Sequence, residues 1–310
     1  MGFFTQLVTD PGGFYRGHEL LVAQCGINAM LAVSIWFTLY SGQLALATAG
    51  FMAIGGYTSV VLAIHGHVPL PVGTLAGCVL AALAGVAIGL PVLRLRGVFL
   101  AIATIAFGEA LRFGLILNLP LTGRGQGLTN LDADPTGGIL PVWISVSVLG
   151  YLGWSITRTR LGHAWAAIRE DELAAAAAAI HVRAHKLAAF VIGAVIAAYA
   201  GALDAHLNFF VDPTEYGFDR AVQVLVFAVL GGIGSVAGPI VGAVGLTALP
   251  EAARWASDYR EVLYGVILML VVVFRPQGLV ARRRGTRPRG RAGRRPRPRS
   301  RGGPAAARTD

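Results

Sequence analysis

Charge is scarce in this sequence. Asp, Glu, Lys and Arg make up 14% of the 310 residues, where a soluble domain carries roughly 25%. Hydrophobic residues reach 55% and the mean hydropathy is +0.63, so an ordinary soluble domain is excluded and a polytopic membrane protein is indicated. Cysteine is nearly absent: Cys25 and Cys78 both lie inside apolar runs, where a disulfide framework has no role and a free thiol packs as a small hydrophobe. The first twenty residues contain Asp10 and Glu19 and lack a basic start followed by an apolar core, so no signal peptide is expected and the first span directs insertion. No nucleophile, base and orienting group occur together, and no metal-ligand cluster does either. His65 and His67 are two ligands without a third, and an outward loop accounts for them better than a metal. The chain is therefore expected to be no enzyme and to hold no cofactor.

What the sequence does contain is long apolar runs. A bilayer core about 30 Å thick takes about 20 apolar residues as a helix. Residues 20–40, 71–93, 98–119, 138–156 and 187–204 meet that length with few internal charges. Residues 42–64 are long enough but glycine-rich, 221–249 are broken by GGIG, and 262–274 form a last apolar run. Backbone groups in lipid must be satisfied within the chain, so runs of this length are helices and an outer-membrane barrel is excluded. The expected fold class is all-α, a polytopic membrane helix bundle of about eight to ten spans that includes broken or re-entrant helices.

The positive charge is confined to one end. Residues 275–310 hold thirteen arginines and one acid, which leaves thirteen bases and fifteen acids, a net charge of −2, for the rest of a chain of net charge +10. Residues 281–310 have Arg, Pro and Gly with almost nothing apolar, the composition of a disordered tail. The positive-inside rule makes that tail cytoplasmic, and with it Arg94, Arg96 and the 158–186 loop. Anionic membrane lipid is a fitting partner for the arginines; nucleic acid is disfavoured, since no aromatic is interleaved to stack on bases. This divides the chain into an N-terminal segment (1–19), a transmembrane domain (20–280) with a cytoplasmic loop (158–186), and the tail.

Parity then constrains 221–249. Between two cytoplasmic points at 186 and 275, spans 187–204 and 262–274 already supply an out-and-back pair, so 221–249 must begin and end outside. A pair of half-helices turning at Gly231, Gly232 and Gly234 satisfies this, provided that the turn is buried in protein or faces a water-filled path. Glycine followed by no Lys-Ser/Thr is no phosphate loop. Gly238 and Gly242, like Gly85 and Gly89, have the four-residue spacing that lets helix backbones approach.

Six motifs in order, SGQLALATAGFMAIGGYT (41–58), RLRGVFLAIATIAFGEALR (94–112), LTGRGQGL (121–128), RLGHAWAAIREDELAAAAAAI (160–180), LGGIGSVAGPIVGA (230–243) and FRPQGL (274–279), resemble the inner-membrane permease subunits of branched-chain amino acid ABC importers, most of all the longer of their two permease types. The resemblance covers about residues 20–280. It implies a multi-pass protein of the bacterial plasma (inner) membrane that works with a second homologous permease subunit, cytoplasmic ABC ATPase subunits and an extracytoplasmic substrate-binding protein. It also implies a short cytoplasmic coupling helix. The sequence departs from the family at Ala179, where glycine is usual, and near Ala45, Ala47 and Thr48, where Ser, Gly and His are usual. A related permease for urea, amides or a sugar is the alternative within the class. A stand-alone secondary transporter should show clear internal repeats and coupling-ion carboxylates.

Two readings stand for Glu109 and Arg112, which share a helix face inside a span. They form a mutual ion pair that locks helix packing, or they line the path and meet the two charged ends of an amino acid. Gln43, Thr48, Tyr57 and Thr58 are the polar members of the glycine-rich second segment, fit for interhelical hydrogen bonds or for lining the path. Asp212, Glu215 and Asp219 fall on the outer side, where a solvated loop or a contact with the binding protein accounts for them.

The coupling function is assigned to the stretch around the alanines. Residues 173–180 span about 12 Å as a helix and cannot cross a bilayer. Leu161, Trp165 and Ile168 recur at helical spacing and predict an amphipathic helix at the membrane edge. Arg169, Glu170, Asp171 and Glu172 interrupt it, with Asp171 as N-cap and Glu172 favourable to the helix dipole. Alanines 174–179 then present little bulk to an ATPase groove, with Ala175 and Ala176 the expected contacts. Ala179 needs the left-handed conformation if the helix stops there; otherwise the helix runs on toward His181.

Overall fold

The computed structural model describes residues 19–116, 118, 120–129 and 139–252, which are almost wholly helical. The expected span at 262–274, the FRPQGL motif, the N-terminal segment and the arginine tail lie outside the described residues. In chain order the helices are α1 (Glu19–Tyr40), α2 (Thr48–Gly66), α3 (Leu70–Val92), α4 (Val98–Leu111), α5 (Ile139–Ile156), α6 (Arg160–Glu170), α7 (Glu172–Ala177), α8 (Val182–Asn208), α9 (Phe218–Gly231) and α10 (Ala237–Ala252). Among the described residues five of these, α1, α2, α3, α5 and α8, are long and apolar enough to cross a membrane.

The centre of the bundle is α1, α2 and α8. Every residue of α1 from Cys25 to Tyr40 is buried, whereas α3 and α5 expose Leu75, Leu83, Ile144 and Tyr151 on their outer faces, as helices bordering lipid do. Small residues bring the central backbones into contact. A Cβ on Gly55 would lie 1.9 Å from the Ala198 carbonyl oxygen, and one on Gly201 would lie 2.1 Å from that of Met52. Gly85 and Gly89 seat α3 on Ala194, Leu187 and Phe190 of α8. Interhelical polar contacts fix the rotation of each helix: Ser34 Oγ donates to the Gly193 carbonyl at 2.9 Å, and Asn28 Nδ2 to Thr247 Oγ1 at 2.9 Å.

Three boundaries differ from the sequence pattern. The second span begins at Thr48 rather than near 42, because Gly42 turns the chain with φ +80 and residues 43–47 carry no regular structure. The helix expected over 98–119 is α-helical only to Leu111, then widens into a π turn, Arg112–Ile116, before Pro120, which cannot continue a helix. The broken segment is longer than expected. Helix α9 spans about 21 Å and α10 about 24 Å, each short of the bilayer core.

The hairpin of α9 and α10 starts and finishes at the Glu19 end of α1. Phe218 meets Glu109 near the end of α4, and Thr247 stands beside Asn28, while the turn between the helices reaches Trp36 near the other end of α1. The segments after α4 and after α8 are tied by a short antiparallel ribbon, β1 (Leu128–Thr129) with β2 (Phe210–Val211), in the register Leu128 to Val211 and Thr129 to Phe210.

Candidate functional site

Helices α6 and α7 fold back onto the Tyr40 end of the bundle. The chain turns tightly at Gly162, where a Cβ would lie 2.3 Å from the Ile156 carbonyl oxygen. Trp165 and Ile168 are fully buried, against Phe37, Tyr40 and Trp36, and Leu161 is 45% exposed. The apolar face of α6, which the spacing alone assigns to the membrane edge, is thus covered by α1 and α8. The reason is local: Trp165 stands edge-on to Phe37 at 6.0 Å, and its Nε1 donates to the His185 carbonyl at 2.9 Å. At about 25 cal/mol per Å² over about 200 Å², burying Trp165 contributes up to about 5 kcal/mol.

Asp171 breaks the two helices apart and caps the second, its Oδ1 accepting from the Leu173 and Ala174 amides at 2.8 and 3.1 Å. The other end of α7 closes in a Schellman motif. The Ile180 amide donates to Ala175 and the Ala179 amide to Ala176, both at 3.1 Å, with Ala179 at φ +61. The helix thus stops and does not run on to His181. Of the alanines, Ala175 points inward at 4% exposure, whereas Ala174 and Ala176 to Ala179 are exposed. Arg169 places its guanidinium 5.2 Å from the Tyr40 ring, and Glu170 is exposed beside it. Glu172 pairs with Lys186 and lies 3.9 Å from Arg96.

Glu109 and Arg112 face each other with Nη1 to Oε2 at 3.1 Å and remain about a quarter exposed. The second carboxylate oxygen accepts from the Phe218 amide at 2.8 Å, so Glu109 also caps the start of α9. Both oxygens are occupied within the chain, an arrangement that suits helix locking.

Gln43 is buried, its Nε2 donating to Ser41 Oγ at 2.6 Å and to the Lys186 carbonyl at 3.0 Å. Thr48 lines a cavity of about 10 Å³, space for about one water molecule, together with Ser34, Thr38, Phe51 and Phe190. Tyr57 lies apart from it, its ring 5.8 Å from that of Tyr216. Burial, reinforced by the charge of Asp204, holds the Tyr216 hydroxyl well above its ordinary pKa. The path candidates are thus dispersed through the bundle rather than gathered at one site. Asp212 caps the Thr214 amide at 2.8 Å, Glu215 is exposed in the short helical turn that follows, and Asp219 is exposed in the first turn of α9.

In the hairpin, a Cβ on Gly231 would lie 2.0 Å from the Gly238 carbonyl oxygen, one on Gly238 would lie 2.1 Å from that of Gly232, and one on Gly242 would lie 2.3 Å from that of Phe227. Gly232 turns the chain at φ +101, and Gly234 is exposed in the turn. The turn's carbonyl at Ile233 accepts from Trp36 Nε1 at 3.0 Å, which satisfies backbone that lipid cannot.

Sequence reasoning missed Lys186, Trp36 and Thr104. Lys186 is only 7% exposed, and its charge resembled one more positive-inside residue. The signal for Trp36 was a large aromatic with a donor in a span, which has to find an acceptor when buried.

Comparison with known proteins places this geometry. The family model described as "Branched-chain amino acid transport system / permease component" matches residues 19–272. The permease protein LivM of the high-affinity branched-chain amino acid transport system of Escherichia coli (strain K12) is 32% identical over 84% of this chain and 67% of its own length. LivH of the same system and strain is 31% identical over 53% of this chain and 55% of its own. The autoinducer 2 import system permease protein LsrC of Enterobacter sp. (strain 638) is 28% identical over 73% and 68%. No solved structure matches. With the family match over nearly all of the helical bundle and the LivM-type likeness over most of the chain, this chain belongs to the branched-chain amino acid transport system permease family, whose members are transport subunits and not enzymes.

Proposed function

We propose that this chain and a second, homologous permease subunit form the membrane path of an ATP-driven importer for branched-chain amino acids in the bacterial inner membrane. An extracytoplasmic protein delivers the substrate and two cytoplasmic ATPases drive the cycle. The observation that carries this reading is the α6–α7 segment. It stands outside the spans at the end that bears Arg94, Arg96, Arg158, Arg160 and Arg183, which the positive-inside rule makes cytoplasmic. It is fixed inwardly by Trp165, Ile168 and Ala175, and it offers an outward face of alanines with little bulk. A segment that passes on the motion of an ATPase needs rigid packing on one side and a close-fitting surface on the other. The 281–310 tail then lies in the cytoplasm near anionic lipid headgroups.

The ribbon of β1 and β2, with Glu215 and Asp219 beside it, forms the outer surface for the binding protein. The test is copurification from native membranes followed by uptake in proteoliposomes. Two ATPases and a second permease should accompany the chain, and leucine, isoleucine or valine should enter in preference to urea, amides or sugars. A chain that purifies alone and transports without ATP would overturn the reading, and preference for another solute would overturn the substrate class.

A further inference from the structure

Lys186 has no place in the reading above, yet it is a lysine buried near the start of α8. An apolar side chain of similar volume would pack there without giving up the hydration of a charge. Lys186 instead pairs with Glu172, the first residue of α7. Its own carbonyl accepts from Gln43 Nε2 at 3.0 Å. Gln43 lies in the non-helical joint, residues 41–47, that leads from α1 into α2. At the far side of that joint the Leu46 amide donates to Thr104 Oγ1 of α4 at 2.8 Å.

A second contact runs in parallel. A Cβ on Gly42 would lie 3.0 Å from Arg169 Cα, and Arg169 also covers the Tyr40 ring. The last turn of α6 therefore bears on the first residues of the same joint. We propose that Lys186 is a positioning residue for transport: its ion pair with Glu172 and its carbonyl bond to Gln43 link the α6–α7 segment to the α1–α2 joint, so that movement of the segment shifts the start of α2. The ends of the joint are tied to the flanking helices, the Gln43 amide to the Thr38 carbonyl and the Ala47 carbonyl to the Phe51 amide, but residues 44–46 between them can move without breaking a helical hydrogen-bond ladder. Its end, Ala45 and Ala47 with Thr48, walls the small cavity shared with Ser34, Thr38 and Phe190. A shift of the joint changes that cavity first.

This inference rests on the reading of α6–α7 as the segment that meets the ATPases. The test uses the complete importer in proteoliposomes and reads ATP hydrolysed per amino acid transported. Glu172→Gln and Lys186→Met should assemble with the ATPases and hydrolyse ATP, with the ratio raised about fivefold or more, the scale of an ordinary coupling between sites. Lys186→Arg, which keeps the pair, should stay near the wild-type ratio. A purely structural role would lower hydrolysis and transport together with the amount of folded protein and leave the ratio unchanged, and that result overturns the inference. Should Lys186→Met fail to insert, Glu172→Gln decides alone, since its side chain is 29% exposed and tolerates the neutral isostere. A wild-type complex that binds no ATPase refutes the functional reading instead, because every variant is scored against it.

Discussion

Ala179 holds a conformation that alanine resists. Its φ is +61, and the left-handed region costs an L-residue with a Cβ roughly 1–2 kcal/mol. Glycine in its place escapes that cost but has more freedom in the open chain, worth roughly 0.5–1 kcal/mol in the opposite direction. Ala179→Gly should therefore stabilise the closed end of α7 by about 0.5–1 kcal/mol, a factor of about two to five in its opening equilibrium. The reporters are the two amides that close the motif, Ile180 to Ala175 and Ala179 to Ala176. Hydrogen exchange of the purified protein should slow by that factor in a peptide covering residues 172–182, and hardly change in one from α1. Exchange that is unchanged or faster there would refute the reasoning, since it would mean that the loop already relaxes the alanine.

Three further perturbations separate the elements. Gly231→Ala brings a Cβ to 2.0 Å from the Gly238 oxygen and should cost about 1–3 kcal/mol or more, read as loss of monodisperse protein after extraction; Gly245→Ala, with nothing within 4 Å of the added Cβ, should be neutral. Glu109→Gln keeps an oxygen for the Phe218 amide but leaves Arg112 unpaired, so stability should fall by about 1–2 kcal/mol, discounted from a fully buried pair for partial exposure. Its thermal midpoint should drop while uptake per folded protein holds, and loss of uptake at normal stability would contradict the locking role. Ala176→Arg, on the exposed face, should leave the protein folded yet abolish ATPase copurification and uptake, while Ala175→Arg, on the buried face, should lower the folded yield itself. Normal copurification in Ala176→Arg would remove that surface from the coupling segment.

The spans were legible because a bilayer demands length and hydrophobicity, and both are local properties. Parity on the charged loops predicts that 221–249 returns to the side it starts from, and α9 and α10 do start and finish at the same end of α1. The N-cap at Asp171 was also legible, since a cap depends on a few neighbouring residues; at Ala179 the sequence left two outcomes open, and the structure takes the left-handed one. What escaped depends on partners distant in sequence. Nothing in AAAAAA says which alanine turns inward, and the buried state of Lys186 appears only once α7 and α8 are side by side. The docking of Trp165 on Phe37, 128 positions away, was read as membrane contact for the same reason. Periodicity identifies an apolar face and leaves open what covers it.

The hairpin turn and the α6–α7 segment meet in one place, and Trp36 is that place. Its Nε1 holds the hairpin turn through the Ile233 carbonyl, and its ring packs on Phe37 at 5.1 Å and Tyr40 at 4.9 Å. Val236 from the hairpin and Trp165, Ile168 and Ala175 from α6–α7 belong to the same apolar cluster. Trp36→Phe keeps most of the packing but leaves the Ile233 carbonyl without its indole donor, an omission worth about 1–3 kcal/mol in buried surroundings. If the cluster is one cooperative unit, the loss cannot stay at the turn. Hydrogen exchange should quicken by a similar factor in peptides covering 228–238 and 160–177, two regions far apart in sequence, while α3 keeps its wild-type rate. Faster exchange confined to 228–238 would show that the hairpin tip and the coupling segment open independently. The aromatic cluster would then be a shared wall with no mechanical link across it.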